Sequence, residues 1–178
     1  MIRKAHNDGF TLLELMVTVA VVAIIVAVGI PSFQAMIDRN RLRAVTEAFF
    51  VDLNYARSES IKQNRTVVVY FSSTSTSWCY GIDDNIVTAC DCATTPANCT
   101  VNGLQRVVSN TDHPGVVLNL IEFTNNVVGF DPRRGLPVEG SALNTPLAAT
   151  RAVGFQSALG KNGRVELGIL GRSTTVYP

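Results

Sequence analysis

Polar and apolar positions divide the chain into three stretches. From Leu15 to Ile37 there are 23 residues without a charge, more than the roughly 20 that a helix rising about 1.5 Å per residue needs to cross a bilayer. Beyond it, Ile37, Leu42, Val45, Phe49, Leu53 and Ala56 recur at steps of three to five, while Arg39, Arg41, Arg43, Glu47 and Glu59 fall mostly elsewhere. That is the period of an amphipathic helix running to about Gln63, whose apolar side would carry a domain core. Pro31 has no N–H to donate and crowds the preceding turn, so a kink or local melting is expected there.

From Thr66 onward β-branched and aromatic runs alternate with turn residues. They predict strands near 66–72, 77–82, 104–109, 115–123, 126–130, 151–158 and 164–170. Asn102-Gly103 and Asn162-Gly163 can adopt positive φ and predict two hairpin turns. Asp131-Pro132-Arg133-Arg134-Gly135 reads as a surface turn and Val138 to Thr150 as a loop. The fold class is α+β, a long N-terminal helix, half transmembrane and half amphipathic, packed on an antiparallel β-sheet domain.

Ahead of the apolar run stands the sequence Gly9-Phe10-Thr11-Leu12-Leu13-Glu14, preceded by Arg3 and Lys4. A carboxylate near the start of a membrane span costs on the order of 2.5–3.5 kcal/mol at the helix centre and less near the interface, so Glu14 asks for a partner. Cleavage after Gly9 would supply one: the freed amine of Phe10 is a cation that the Glu14 of a neighbouring subunit can neutralise out of water. An ordinary signal peptide is the rival, since Ala27-Val28-Gly29 passes as a small-residue cleavage site. An acidic residue does not belong in an apolar signal core. A plain signal anchor would leave Glu14 there by accident.

These residues resemble the cleavage site of type IV pilins and type II secretion pseudopilins. The resemblance implies that a prepilin peptidase cuts between Gly9 and Phe10 on the cytoplasmic side, that Phe10 is then methylated, and that Glu14 and Pro31 serve assembly. It implies residues 1–9 as a cleaved leader, 10–33 as the transmembrane and assembly helix, and 34–178 as a globular periplasmic pilin domain. Two further segments narrow it. Phe33-Gln34 through Asn40-Arg41-Leu42-Arg43-Ala44, and Leu53-Asn54-Tyr55-Ala56-Arg57-Ser58-Glu59-Ser60 against Leu-x-x-Ala-Arg-x-Glu-Ala, resemble minor pilins and minor pseudopilins of the GspH, FimT and FimU kind, and the end Gly171-Arg172 resembles their terminal strand. The implied protein is a structural subunit of the inner membrane, later of the pilus, that primes or caps a fibre. Its partners would be other minor and major pilins, prepilin peptidase and the inner membrane.

The 178 residues leave about 140 after the span, enough for one compact domain. Net charge is +1, and loss of residues 1–9 leaves 13 basic against 13 acidic side chains, so bulk attraction to nucleic acid is not indicated. Arg3 and Lys4 would hold the N-terminus in the cytoplasm and send the rest across. FimT-like pilins carry a C-terminal Gly-Arg-x-Arg motif associated with DNA uptake; here Gly171-Arg172-Ser173-Thr174 lacks the second arginine. Arg172, with Arg164, Lys161, Arg133 and Arg134, could still form a basic patch for DNA.

Cys79, Cys90, Cys92 and Cys99 fall within 21 residues. In an oxidising compartment they predict two disulfides, each contributing about 2–4 kcal/mol. Cys90 and Cys92 are too close to bridge readily, which leaves Cys79-Cys90 with Cys92-Cys99, or Cys79-Cys92 with Cys90-Cys99. The first is preferred because its loops do not cross. Zinc would want paired C-x2–4-C spacing, which is missing. His113, in Thr-Asp-His-Pro-Gly, reads as part of a turn before a strand rather than of a nucleophile system. No metal-type His pair, phosphate loop or serine elbow appears, so no cofactor or catalytic residue is assigned. Asp83, Asp84 and Asp91 lack calcium-loop spacing and read as a solvated acidic loop.

Overall fold

The structure, a computed structural model, describes residues 10–85, 90–140 and 143–177. The leader with Arg3, Lys4 and Gly9 lies outside them. Contacts divide the chain into two units between Ile37 and Asp38.

One helix, α1, runs over Leu12–Gln63 and stays helical through Pro31. The local melting expected there is absent. A proline deletes one backbone bond, and the turns on either side keep theirs. Within the first unit the large apolar side chains described between Leu12 and Val26, and Ile30 after them, are exposed, Leu12 at 76% and Ile24 at 67%.

In the second unit α1 carries the predicted apolar face: Leu42, Val45, Phe49, Leu53 and Ala56 are all buried. Two antiparallel sheets cover it. The larger one orders as β5-β2-β1-β7-β8-β9, where β1 is Val67–Ser73, β2 Trp78–Asp83, β5 Val107–Ser109, β7 Val127–Phe130, β8 Pro137–Glu139 and β9 Thr145–Pro146. The smaller one orders as β12-β11-β10-β6, with β6 Val116–Ile121, β10 Arg151–Ser157, β11 Asn162–Leu167 and β12 Ser173–Val176. A separate hairpin pairs β3, Thr100–Val101, with β4, Leu104–Gln105.

Phe49 of α1 joins the sheets. Its ring meets Phe71 of β1 at 5.6 Å, Tyr80 of β2 at 5.1 Å and Phe155 of β10 at 5.8 Å, all edge-on. Such pairs add about 0.5–1.5 kcal/mol each beyond area burial. At the seam between the sheets, side chains stand in for ladder bonds. Trp78 Nε1 donates to the Val116 carbonyl at 2.8 Å, and Ser73 Oγ to that of Leu118 at 3.2 Å.

Several expectations need correction. Asn162-Gly163 is not a turn: both residues lie in β11, and the reversal before it spans Ser157 to Lys161, with Gly160 at φ 76°. Gly163 is small for another reason, since a Cβ there would come within 2.8 Å of Thr46 Oγ1 on α1. Residues 104–109 divide between two sheets, because Leu104 pairs with Val101 and Val107 with Gly81. The loop from Val138 to Thr150 contains most of β8 and all of β9; pieces of two or three residues, one starting at Pro137 and the other ending at Pro146, are too short to show a period-2 pattern. β11 stops at Leu167, short of the predicted 170. The Asn102-Gly103 turn is as predicted, with φ 54° and 74°.

Candidate functional site

At the start of α1, Thr11 Oγ1 accepts a hydrogen bond from the Glu14 N–H at 3.2 Å. Thr11 is thus the helix N-cap with an acid three positions on, an arrangement that satisfies an otherwise free donor and sets negative charge against the positive end of the helix dipole. Among the described residues the Glu14 carboxylate has no ion pair. Phe10 is 82% exposed. Pro31 is exposed within the helix.

The Leu53–Ser60 segment has a structural meaning that its spacing did not disclose. Leu53 and Ala56 enter the core. Arg57, one turn on from Leu53, reaches past the core, its Nε donating to the Gly135 carbonyl at 3.0 Å, Nη1 to that of Gly171 at 2.9 Å and Nη2 to that of Leu170 at 3.3 Å. One guanidinium therefore holds the Asp131–Gly135 turn, from the larger sheet, against the Gly168–Gly171 turn, from the smaller. Gly135 and Gly171 have φ 62° and 74°, and a Cβ on Gly171 would lie 2.7 Å from the Gly135 oxygen. Only glycine allows both the left-handed backbone and that approach.

Glu59, expected off the apolar face, is buried. Gln63 Nε2 donates to it at 2.9 Å, Asn102 Nδ2 at 3.0 Å and Lys62 Nζ at 3.0 Å. Those bonds, Gln63 first, then Asn102 and Lys62, hold its pKa down at about 2. The Asn102 of the β3–β4 turn is thereby tied to the end of α1, while its N–H donates to Asp84 Oδ2 at 2.8 Å. Asp83, expected in a solvated loop, is buried at the end of β2, and burial pushes its carboxyl pKa up.

The disulfides are Cys79–Cys92 and Cys90–Cys99, which corrects the uncrossed pairing. Cys79 and Gly81 share one face of β2. The returning segment is hydrogen-bonded to the far half of that strand, Asp84 N–H to the Thr100 carbonyl at 3.0 Å and Ile82 N–H to the Arg106 carbonyl at 2.9 Å. Cys99 therefore lands over Gly81 and meets Cys90 there, leaving Cys92 to reach back to Cys79. A Cβ on Gly81 would come within 2.5 Å of Cys90 Sγ. All four cysteines are buried and pack with Tyr70 and Val107 as a second small core. Residues 86–89 of this loop lie outside the described ones. His113 sits in the turn before β6, stacked on Trp78 at 6.4 Å, with burial lowering its pKa.

The arginines and lysine weighed for DNA do not form one patch. Lys161 and Arg172 precede opposite ends of the β11–β12 pair, in which Arg164 faces Val176 and Leu167 faces Ser173; that is about 20 Å at 3.3–3.4 Å per residue. Arg164, between them, is paired with Glu166 at 2.8 Å. Arg172 instead belongs with Arg133 and Arg134, on the two turns that Arg57 holds together. Lys161 faces a cleft with Arg39, Arg43, Leu42 and Tyr177, which the sequence offered no signal to find.

A family model described as type II transport protein GspH matches residues 45–171, and one for the prokaryotic N-terminal methylation motif matches residues 4–30. The chain belongs to the GspH family. Among solved structures it is similar to the type IV minor pilin FimU of Pseudomonas aeruginosa, at 17% identity and a TM-score of 0.52, over 78% of this chain and 90% of that one. No curated protein sequence matches significantly. The GspH match begins at Val45 on the buried face of α1 and ends at Gly171, the glycine that Arg57 binds, so it spans the closed part of the domain. The fold is that of FimU: one long helix packed on antiparallel sheets.

Proposed function

We propose that this GspH-family chain is a minor type IV pilin, cut between Gly9 and Phe10 by prepilin peptidase and built into a fibre by its apolar helix, where it primes or caps assembly. The observation that carries this is the exposure of the described apolar side chains between Leu12 and Ile30, together with a Glu14 carboxylate unpaired among the described residues. An apolar surface of that extent and a lone acid require cover from outside the chain, first lipid and then neighbouring subunits. The domain would face the periplasm, where two disulfides persist.

The test is the N-terminus of the membrane-extracted protein. Mass spectrometry should find it at methylated Phe10, and a bulky residue in place of Gly9 should leave only the uncut form. A terminus at Ile30 would mean ordinary signal-peptide cleavage.

Two other readings have an observation each. The name of the matching family favours a type II secretion pseudopilin, and deletion of the gene distinguishes them by which is lost, secretion or pili. The juxtaposed turns bearing Arg133, Arg134 and Arg172 favour DNA binding during uptake, which would fall steeply with salt and with Arg172→Ala.

A further inference from the structure

We propose that the cleft formed by Arg39, Arg43, Lys161 and Tyr177 binds the phosphate of an anionic phospholipid headgroup while the subunit is held in the membrane before assembly. The inference rests on the membrane-inserted reading above and adds a ligand to it.

The cleft has a volume of about 310 Å³ and is lined by Arg39, Leu42, Arg43, Lys161 and Tyr177. Arg39 and Arg43 are a like-charge i, i+4 pair, which destabilises a helix unless an anion lies between. The fold adds a third cation to them. The Ser157–Lys161 turn is pinned by the Ser157 N–H to the Lys161 carbonyl at 2.8 Å and the Lys161 N–H to Ser157 Oγ at 3.1 Å. Among the described residues, no carboxylate forms an ion pair with Arg39, Arg43 or Lys161. The acid at the rim, Glu47, accepts from Tyr177 Oη at 3.4 Å. Arg43 stands over the Tyr177 ring at 5.8 Å, which orients its guanidinium. Three donors of positive charge around a buried leucine and a tyrosine ring suit an anion attached to an apolar body.

The position along the chain selects a lipid. Arg39 and Arg43 are two and six residues past Ile37, where the uncharged run ends. Six residues reach at most about 20 Å even when extended, so the cleft stays near the headgroups of the outer leaflet whatever the angle of the domain. Cations beside a membrane are drawn to anionic headgroups, and tyrosine favours that interface. Duplex DNA presents a row of phosphates, and one cleft of this size accepts a single such group.

The test uses the full chain in vesicles of phosphatidylcholine with and without phosphatidylglycerol, extracted in mild detergent and weighed intact by native mass spectrometry. Phosphatidylglycerol should be retained in preference to phosphatidylcholine. The preference should fall about fivefold for each of Arg39→Ala, Arg43→Ala and Lys161→Ala, survive in Arg43→Lys, and be unchanged in Arg172→Ala. Equal retention of both lipids, or indifference to the three cleft substitutions, overturns the proposal. Displacement of the lipid by inorganic phosphate would make this a free-anion site, and duplex DNA bound with the same three dependences would make it a nucleic-acid surface; either result overturns the headgroup assignment. Membrane insertion is read separately by flotation with phosphatidylcholine vesicles. A chain that does not float sinks both readings, whereas one that floats without preferring phosphatidylglycerol sinks this one alone.

Discussion

Arg57 Nη1 donates to the Gly171 carbonyl at 2.9 Å across 114 residues of sequence. With its second bond to Gly135, this contact makes the end of α1 the point where turns of both sheets meet. A charged, planar donor suits the place because three separate nitrogens in a rigid fork reach several carbonyls in fixed directions, whereas a lysine offers one nitrogen on a flexible stem.

Replacing Arg57 should therefore destabilise the domain although the residue lies outside the apolar core. Arg57→Lys keeps the charge and loses the fork, and we expect a loss of about 2–3 kcal/mol in denaturant unfolding, with Arg57→Ala at least as costly. A change under about 0.5 kcal/mol, the level of an ordinary surface substitution, would mean that the turns hold without the clamp.

Glu59 predicts an acid limb of stability. Its folded pKa of about 2 lies below the ordinary 4.5, so its contribution is complete above 4.5 and is lost as pH falls toward 2. Asp52 and Asp83, raised mainly by burial, act in the opposite direction. The comparison must then be between the native chain and Glu59→Gln: the gap between their unfolding free energies should narrow from pH 5 to pH 2. A constant gap would show that the network does not favour the ionised form.

Gly81 predicts a defect confined to the cysteine loop. Gly81→Ala would drive a methyl group into the Cys90–Cys99 sulfurs, at 2.5 and 2.6 Å, and should cost about 1–3 kcal/mol. Peptide mapping of the native chain should recover Cys79 with Cys92 and Cys90 with Cys99. In the variant the second bridge should be the one depleted.

Glu14 predicts a separation of folding from assembly. Glu14→Ala should insert, be cut and keep both disulfides, yet enter fibres poorly. Loss of the cap's acidic partner should cost the helix end no more than about 1 kcal/mol. Normal incorporation into fibres would rule out charge pairing with a neighbour's Phe10 amine.

Reading the chain in order recovered what depends on neighbours in sequence. Steps of three to five made the helix face visible, and Leu42, Val45, Phe49, Leu53 and Ala56 are buried as that period requires. The Asn102-Gly103 pair announced its turn, since two successive positive φ angles are a local demand. The family was legible: the Gly9 to Glu14 order lies within the N-terminal methylation match and the Arg57 and Glu59 spacing within the GspH match.

Where distant segments share space, local pattern was silent or misleading. Asn162-Gly163 carries a turn's composition, but Gly163 is small because α1 passes beside it with Thr46. Glu59 looks like a solvent-facing acid in a helix pattern, yet Asn102 from a hairpin 43 residues away completes its hydrogen bonds. The cysteine spacing left two pairings open, and the crossed one holds because the return strand runs beside Gly81 and sets Cys99 there. The sequence by itself determined the long apolar run, the helix and the β-rich domain, since each follows from hydrophobic period and backbone preference within a few residues. Tertiary structure alone decided which polar groups meet, because a hydrogen bond or disulfide depends on distances that only the packing of helix against sheets sets.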